Sequence, residues 1–345
     1  MRVLITSCLL SICLALQAQL KVLHYTETSG YDHTTRTVLR QMFENMGTVC
    51  GFTVDNDSTG DAFNSLVNLQ QYSVVVFSNT SGDAILNATQ QANFEAYIAG
   101  GGSYLGIHAA SDNYRHSTAN GTNTGTWDWY AELVGASVQQ APNHVSGTPV
   151  YAMSHIGSHQ SLSNVPDPWV KDEEYYYWQN GYYDSINNVP VLEVEETVSP
   201  GGTVESYDSI RPMSWYRYLA GGGKMYYTAL GHQASDYTSD AEFIAHLTDA
   251  MHWLLGITGV GETQHAGSGF TWFETGQTLH ILLPERRYVQ TVSICDMAGR
   301  MLIETPVNNE TTEVLLSCCR LRPGVYVSCV QLTNAALTAR MVLNE

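Results

Sequence analysis

SVVVFSNTSGDAILNATQQANFEAYIAGGGSYLGIH, residues 73–108, holds two unbroken apolar runs separated by a helix-length segment. Val74-Val75-Val76-Phe77 and Tyr104-Leu105-Gly106-Ile107 show no polar alternation, the pattern of strands buried on both faces. Between them, residues 88–99 read as a helix with Phe94 and Ile98 inward, stopped at Gly100-Gly101-Gly102. Strand, helix and strand at this spacing predict a parallel pair joined by a crossover helix.

The same rhythm extends in both directions. Upstream, a strand over 21–25 leads to a helix capped at Thr34 or Thr35, with Val38, Leu39, Met42 and Phe43 on one face and an end at Gly47. A strand over 49–54 and a helix over 62–69 follow. Downstream come a short helix over 127–133, strands over 189–194, 213–218 and 224–229, and a last helix. Ser239-Asp240-Ala241-Glu242 opens that helix and Gly256 closes it. Residues 19–256 are therefore expected to form a doubly wound α/β domain. Residues 257–269 are rich in Gly, Thr and Ser and read as a linker. In 270–345, seven short strands with turns between them predict a small all-β sandwich.

Residues 1–18 begin MRVLITSCLLSICLALQA, with Arg2 ahead of an apolar stretch and a small residue at a plausible cut. That is the form of a secretory signal, too short to span a bilayer, and no later stretch reaches the ~20 apolar residues a spanning helix needs. The expectation is a protein exported through the periplasm and secreted or held at the cell surface, with no transmembrane segment. Seven cysteines occur. Cys8 and Cys13 fall in the leader. The remaining five are an odd number, four of them after residue 290, so any disulfide belongs to the C-terminal unit. The net charge is −18, and residues 262–345 hold only six arginines and eight acidic residues, so the acidic excess belongs to the α/β domain. Such a surface repels phosphate backbones, which makes nucleic acid a poor partner and leaves a neutral substrate compatible.

In an open α/β sheet, ligands bind beyond the carboxyl ends of the strands. Three histidines fall at such ends or in the loops after them: His33, His108 and His232. Each alone reads first as a histidine satisfied by backbone; three together predict a shared pocket for acid–base or ligand chemistry. Asp172-Glu173-Glu174 is the main acidic cluster, abutting Tyr175-Tyr176-Tyr177-Trp178, so one carboxylate can turn inward. Trp127, Trp129, Tyr130, Trp169 and Trp215 serve either as sugar-stacking faces or as core. No GxSxG elbow, GxGxxG, Walker A or HExxH pattern occurs, and a thiol nucleophile has only Cys50 to draw on in this domain. A divalent metal held by histidine and carboxylate is chemically open, though the spacing identifies none.

Ordered motifs add a resemblance. Gly106-Ile107-His108-Ala109-Ala110 with Asp112, Trp129-Tyr130-Ala131-Glu132-Leu133-Val134-Gly135-Ala136, Asp172-Glu173-Glu174-Tyr175 and Tyr227-Thr228-Ala229-Leu230-Gly231-His232 resemble segments of the trehalose-utilisation, or ThuA-like, family. Tyr31-Asp32-His33 sits where that family has a related histidine motif. Where the family has His-Pro before the tryptophan strand, this chain has Arg211-Pro212. The resemblance implies a flavodoxin-like parallel sheet like that of class I glutamine amidotransferases, with His108 where those enzymes carry cysteine. It implies a carbohydrate substrate, with a glycoside or oxidised (keto) disaccharide cleaved or rearranged by hydrolase or lyase chemistry. The alternative is a non-catalytic carbohydrate-binding surface protein. Carried over, His33, His108, Asp112, Glu173 and His232 are the candidate catalytic residues, and Trp129, Tyr175 and Trp215 the candidate substrate-binding ones. If a metal is bound, His33, His108, Glu173 and His232 are its expected donors. The tail, with Asp296, Gly299-Arg300 and Leu321-Arg322-Pro323-Gly324-Val325-Tyr326, resembles the immunoglobulin-like sorting domain of type IX secretion cargo from Bacteroidetes, which implies that secretion machinery as a partner.

Overall fold

The computed structural model describes residues 20–119, 125–194, 211–257, 270–275, 278–296, 300–317, 321, 324–333 and 336–343. The expected leader, the linker and part of the tail motif lie outside these residues. The chain divides into two compact units between Ile257 and Thr258.

In the first unit the elements run β1 (Leu20–Tyr25), α1 (Arg36–Cys50), β2 (Phe52–Asp57), α2 (Leu66–Leu69), β3 (Val74–Ser78), α3 (Ala88–Ala99) and β4 (Ser103–Ile107). After β4 come α4 (Asp128–Val134), β5 (Ala136–Ser137), β6 (Val150–His155), β7 (Trp169–Asp172), β8 (Tyr182–Tyr183), β9 (Val189–Val194), β10 (Arg211–Tyr218), β11 (Lys224–Thr228) and α5 (Ala241–Leu255). Nine strands form one sheet in the order β2-β1-β3-β4-β11-β10-β9-β6-β7. The first five pair in parallel, and β10, β9, β6 and β7 continue antiparallel. The wholly parallel sheet of the expectation is thereby corrected to a mixed, Rossmann-like α/β sheet. Helices follow β1, β2 and β3 and carry the chain between parallel strands, whereas β9 and β10 are side-by-side antiparallel neighbours and need none.

The apolar runs of β3 and β4 are buried at every residue. Phe77 sits at the centre of a ring cluster, within 5.5 Å of Tyr25, Phe94, Tyr104 and Tyr130. This packing joins α3 and α4 to the sheet, while α1 and α5 pack on each other. The helix α1 runs past the expected stop at Gly47 to Cys50, because Gly51 at φ 80° supplies the left-handed cap. Val49, expected in a strand, is thus an exposed helical residue. Asp240 caps α5, its side chain accepting from Phe243 N–H.

The second unit is an antiparallel five-stranded sheet: β12 (Thr271–Thr275), β13 (Thr278–Asp296), β14 (Met301–Ser317), β15 (Gly324–Leu332) and β16 (Ala336–Leu343). Seven expected strands become five because 278–296 and 301–317 each run through as one long bulged strand. Leu279, Ile281, Val289, Val292, Ile294 and Val330 form its core. Cys295 and Cys329 are unbridged thiols in neighbouring strands. Among the described residues no helix is long and apolar enough to cross a membrane.

Burial holds three histidines of the first unit neutral. Desolvation pushes His24, His159 and His246 each down to about 4. His246 is fully buried, with Nδ1–H donating to the Ser161 carbonyl and Nε2 facing the Ser214 and Tyr226 hydroxyls. Its folded value lies below its unfolded one, so between about pH 6.5 and 4 the unfolded chain binds the extra proton and stability falls as pH falls. His246→Gln removes that linkage. Urea unfolding at pH 7 and pH 4.5 should show a smaller acid-induced loss in the variant, by up to ~3 kcal/mol. An equal loss in both proteins contradicts the assignment.

Candidate metal centre

Four chain segments deliver side chains to one point beyond the parallel strand ends. His33 comes from the loop after β1, His108 from the end of β4, His232 from the turn after β11 and Glu174 from the turn after β7. One donor atom from each lies within 4.8 Å of the others. The imidazole rings of His33, His108 and His232 stand 4.8–5.3 Å apart, each pair edge to face.

His108 is placed by a sharp break in the backbone. Ile107 is extended, and His108 itself lies at φ 48°, opening a 3-10 turn to Asp112. A non-glycine residue in the left-handed region costs on the order of 1 kcal/mol or more and persists only where its surroundings fix it. Two bonds do so. Its Nδ1–H donates to the Ala229 carbonyl on the neighbouring strand (2.7 Å), and its own carbonyl accepts from the Tyr227 hydroxyl (2.7 Å). A carbonyl can only accept, so Nδ1 carries the proton and Nε2 presents a lone pair to the site.

The loop bearing His33 is tied to the loop after β3, with the Tyr31 carbonyl accepting from Ser81 Oγ (2.6 Å). Asp32 accepts from Thr34 N–H (2.8 Å) and pairs with Arg36. His33 Nδ1 is buried with no hydrogen-bond partner. Burial and the neighbouring imidazoles His108 and His232 push His33 down to about 3, so this ring stays a neutral donor. His232 follows Gly231, whose φ of 107° and 2.3 Å clearance from a virtual Cβ to Tyr237 Oη both demand glycine. Its hydrogen bond to Glu174 raises the pKa of His232 against the effect of burial. Burial works to raise Glu174, but its contacts with the His108 and His232 imidazoles outweigh it and hold the carboxyl well below its usual range.

The donor spacing fits a metal ion. His108 Nε2 to His232 Nδ1, His108 Nε2 to Glu174 Oε2 and His232 Nδ1 to Glu174 Oε2 are each 3.3 Å. Tetrahedral ligands at ~2.0–2.1 Å from a metal stand ~3.3 Å apart. His33, whose buried Nδ1 has no hydrogen-bond partner, would offer the fourth donor. Three imidazoles and a carboxylate suit a divalent first-row transition ion rather than calcium or magnesium, which take oxygen ligands.

The expected residues are distributed as follows. His33, His108 and His232 converge. Glu173, the carboxylate singled out in the sequence, stands behind them: it is buried and accepts backbone N–H groups from Gly231 (2.7 Å) and His232 (3.1 Å). Its neighbour Glu174 is the one that faces the imidazoles. Asp112 is bound to Arg115 (2.7 Å), and burial raises its pKa against that partner. Of the three expected sugar-binding aromatics, Trp215 and Tyr175 are fully buried and Trp129 is half-buried. Trp215 is fully buried with Nε1–H on the Val134 carbonyl, and Tyr175 is fully buried against Tyr151 with its hydroxyl on the Lys171 carbonyl. Trp129 stacks on Trp127 and meets Phe94 edge-on.

Three residues near the centre were not among the expected site residues. His144 Nε2 lies 3.0 Å from Glu174 Oε1, and its Nδ1–H donates to its neighbour's carbonyl, Val145. Tyr176 stacks on His108 and sets its hydroxyl 3.0 Å from Nε2. Tyr31, exposed, stands edge-on to His33. Alternation along Asp172–Trp178 could have suggested Glu174 together with Tyr176; nothing local marks His144.

The fold and this centre define an α/β protein with a three-histidine, one-carboxylate site at the ends of its parallel strands. The chain belongs to the ThuA (trehalose utilisation) family, whose model matches residues 21–254. A ThuA-like protein from Bacteroides uniformis is similar in structure, with 19% identity and a TM-score of 0.54 over 68% of this chain and 91% of that one. Another from Parabacteroides merdae shows 16% identity and a TM-score of 0.52 over 74% and 95%. These likenesses concern the fold. No curated protein shows significant sequence similarity. A protein from Salmonella typhimurium, matched at 14% identity and a TM-score of 0.46 over 68% of this chain and 99% of that one, is described as cytoplasmic. That description, of the Salmonella protein alone, differs from the secreted or surface location expected for this chain.

Gly231→Ala should cost ~2 kcal/mol or more in unfolding free energy, since it combines a disallowed φ with a clash in a packed turn. Gly222→Ala, also at positive φ but with nothing near its virtual Cβ, should cost less. Denaturant unfolding of the two variants checks this; equal losses contradict it.

Proposed function

We propose that the chain is a metal-assisted enzyme acting on a glycoside or keto-disaccharide, as a hydrolase or lyase. The observation that carries this is the triangle of donor atoms 3.3 Å on each side, closed by His33 Nδ1, at the strand ends of a family tied to trehalose utilisation. His33, His108, His232 and Glu174 would hold the ion, which when bound supplies Lewis-acid polarisation of a substrate oxygen.

The protein's own groups divide the remaining work. The Ala229 carbonyl keeps His108 in the tautomer that offers Nε2. His144 occupies Glu174 Oε1 and leaves Oε2 for the ion. Burial raises the Tyr176 phenol far above neutral pH, so its hydroxyl stays a donor able to bond a substrate oxygen. Tyr31 offers an exposed ring for a sugar face at the rim. The amidotransferase-like placement of His108, with imidazole where those enzymes carry a thiol, belongs to the same proposal. For the second unit, the resemblance to a sorting domain supports an auxiliary role separate from the chemistry.

His108→Ala should lower turnover of glycosides or their 3-keto forms at least 100-fold in a variant that near-ultraviolet circular dichroism shows to be folded. Product analysis over a panel of both substrate forms checks this. Turnover at the wild-type rate, or sugar binding by calorimetry with no product from the wild-type protein, contradicts it. The second result favours a carbohydrate-binding module.

A further inference from the structure

We propose that Lys171 is a positioning residue for this centre: its buried ammonium joins the segment carrying Glu174 to the segment carrying His232. The proposal rests on the metal reading given above.

Lys171 lies on β7, the outermost strand of the sheet, with its side chain 3% exposed. Its Nζ is 2.6 Å from Asp236, 2.8 Å from Asp240 and 3.9 Å from Glu173. An ammonium has three N–H donors, and three carboxylates surround it. Two of those carboxylates also anchor the backbone around His232, and the third caps α5. Glu173 accepts from Gly231 and His232, Asp236 Oδ2 accepts from Gln233 N–H (2.8 Å), and Asp240 Oδ1 accepts from Phe243 N–H (2.9 Å). The turn 231–243 is thus fixed by carboxylates that share one cation. On the other side, the Lys171 carbonyl accepts from the Tyr175 hydroxyl (2.6 Å), which steadies the turn bearing Glu173 and Glu174.

An ion pair that served stability alone would lie apart from the donors. Here the chain of contacts runs from the ammonium through Glu173 to the backbone N–H of His232, a donor residue. Without the cation, the buried carboxylates of Glu173 and Asp236 and the half-buried one of Asp240 repel one another and separate. That separation loosens the grip on Gly231 and His232. Partners that orient metal ligands typically change metal affinity 10–100-fold when lost.

The full chain is titrated with Co2+, following the d–d absorption and fixing Kd by competition with a chelator, for wild type, Lys171→Met and Glu173→Gln. Near-ultraviolet circular dichroism establishes that each variant is folded. Lys171→Met should bind Co2+ 10–100-fold more weakly with an altered d–d spectrum, and Glu173→Gln about 10-fold more weakly. Folded Lys171→Met with wild-type affinity and spectrum overturns the proposal. If Lys171→Met does not fold, Glu173→Gln decides: a tenfold loss supports the proposal and wild-type affinity overturns it. Wild-type protein that takes up no cobalt overturns the metal reading itself, a result distinct from normal uptake with insensitive variants.

Discussion

The hydrogen bond from His108 Nδ1–H to the Ala229 carbonyl is the constraint on which the site depends. It spans β4 and β11, adjacent parallel strands in register from Met225 beside Tyr104 to Thr228 beside Ile107. The bond is available only because those strands end level with each other. It settles which nitrogen faces the pocket, and it secures a backbone conformation that the residue would otherwise avoid. Buried apolar strands therefore do more than fill a core: they fix the height at which the first imidazole emerges.

The other donors are placed by polar contacts that reach across the sheet. His33 depends on the bond between the loops after β1 and β3, and His232 on the carboxylate of Glu173. Glu174 is shared among His108, His232 and His144. Donors from four separate elements are hard to bring together at low entropy cost, and rigid strand ends are an economical way to do it. The antiparallel half of the sheet contributes through β7, whose end turns Glu174 toward the histidines.

The parallel half was legible because continuous apolar runs such as Val74–Phe77 have few alternatives to a doubly buried strand. Histidines at the ends of such strands then pointed to one rim. The choice between Glu173 and Glu174 is fixed by bonds to Gly231 and His232, nearly sixty residues away, and alternation along Asp172–Trp178 is its only local trace. Trp215 and Tyr175 carry a related ambiguity: an aromatic residue reads the same in the sequence whether it faces a ligand or the core. The antiparallel extension was seen only as a strand-rich region, since pairing order is a long-range property. In the second unit, turn-like residues inside 278–296 and 301–317 marked bulges within long strands rather than breaks.

The most direct test of the account is X-ray absorption spectroscopy at the metal edge of the purified protein loaded with one equivalent of Zn2+. The account predicts a first shell containing three imidazole nitrogens, with their characteristic outer-shell scattering, and a carboxylate oxygen. A shell of oxygen ligands alone, or of sulfur, would contradict it.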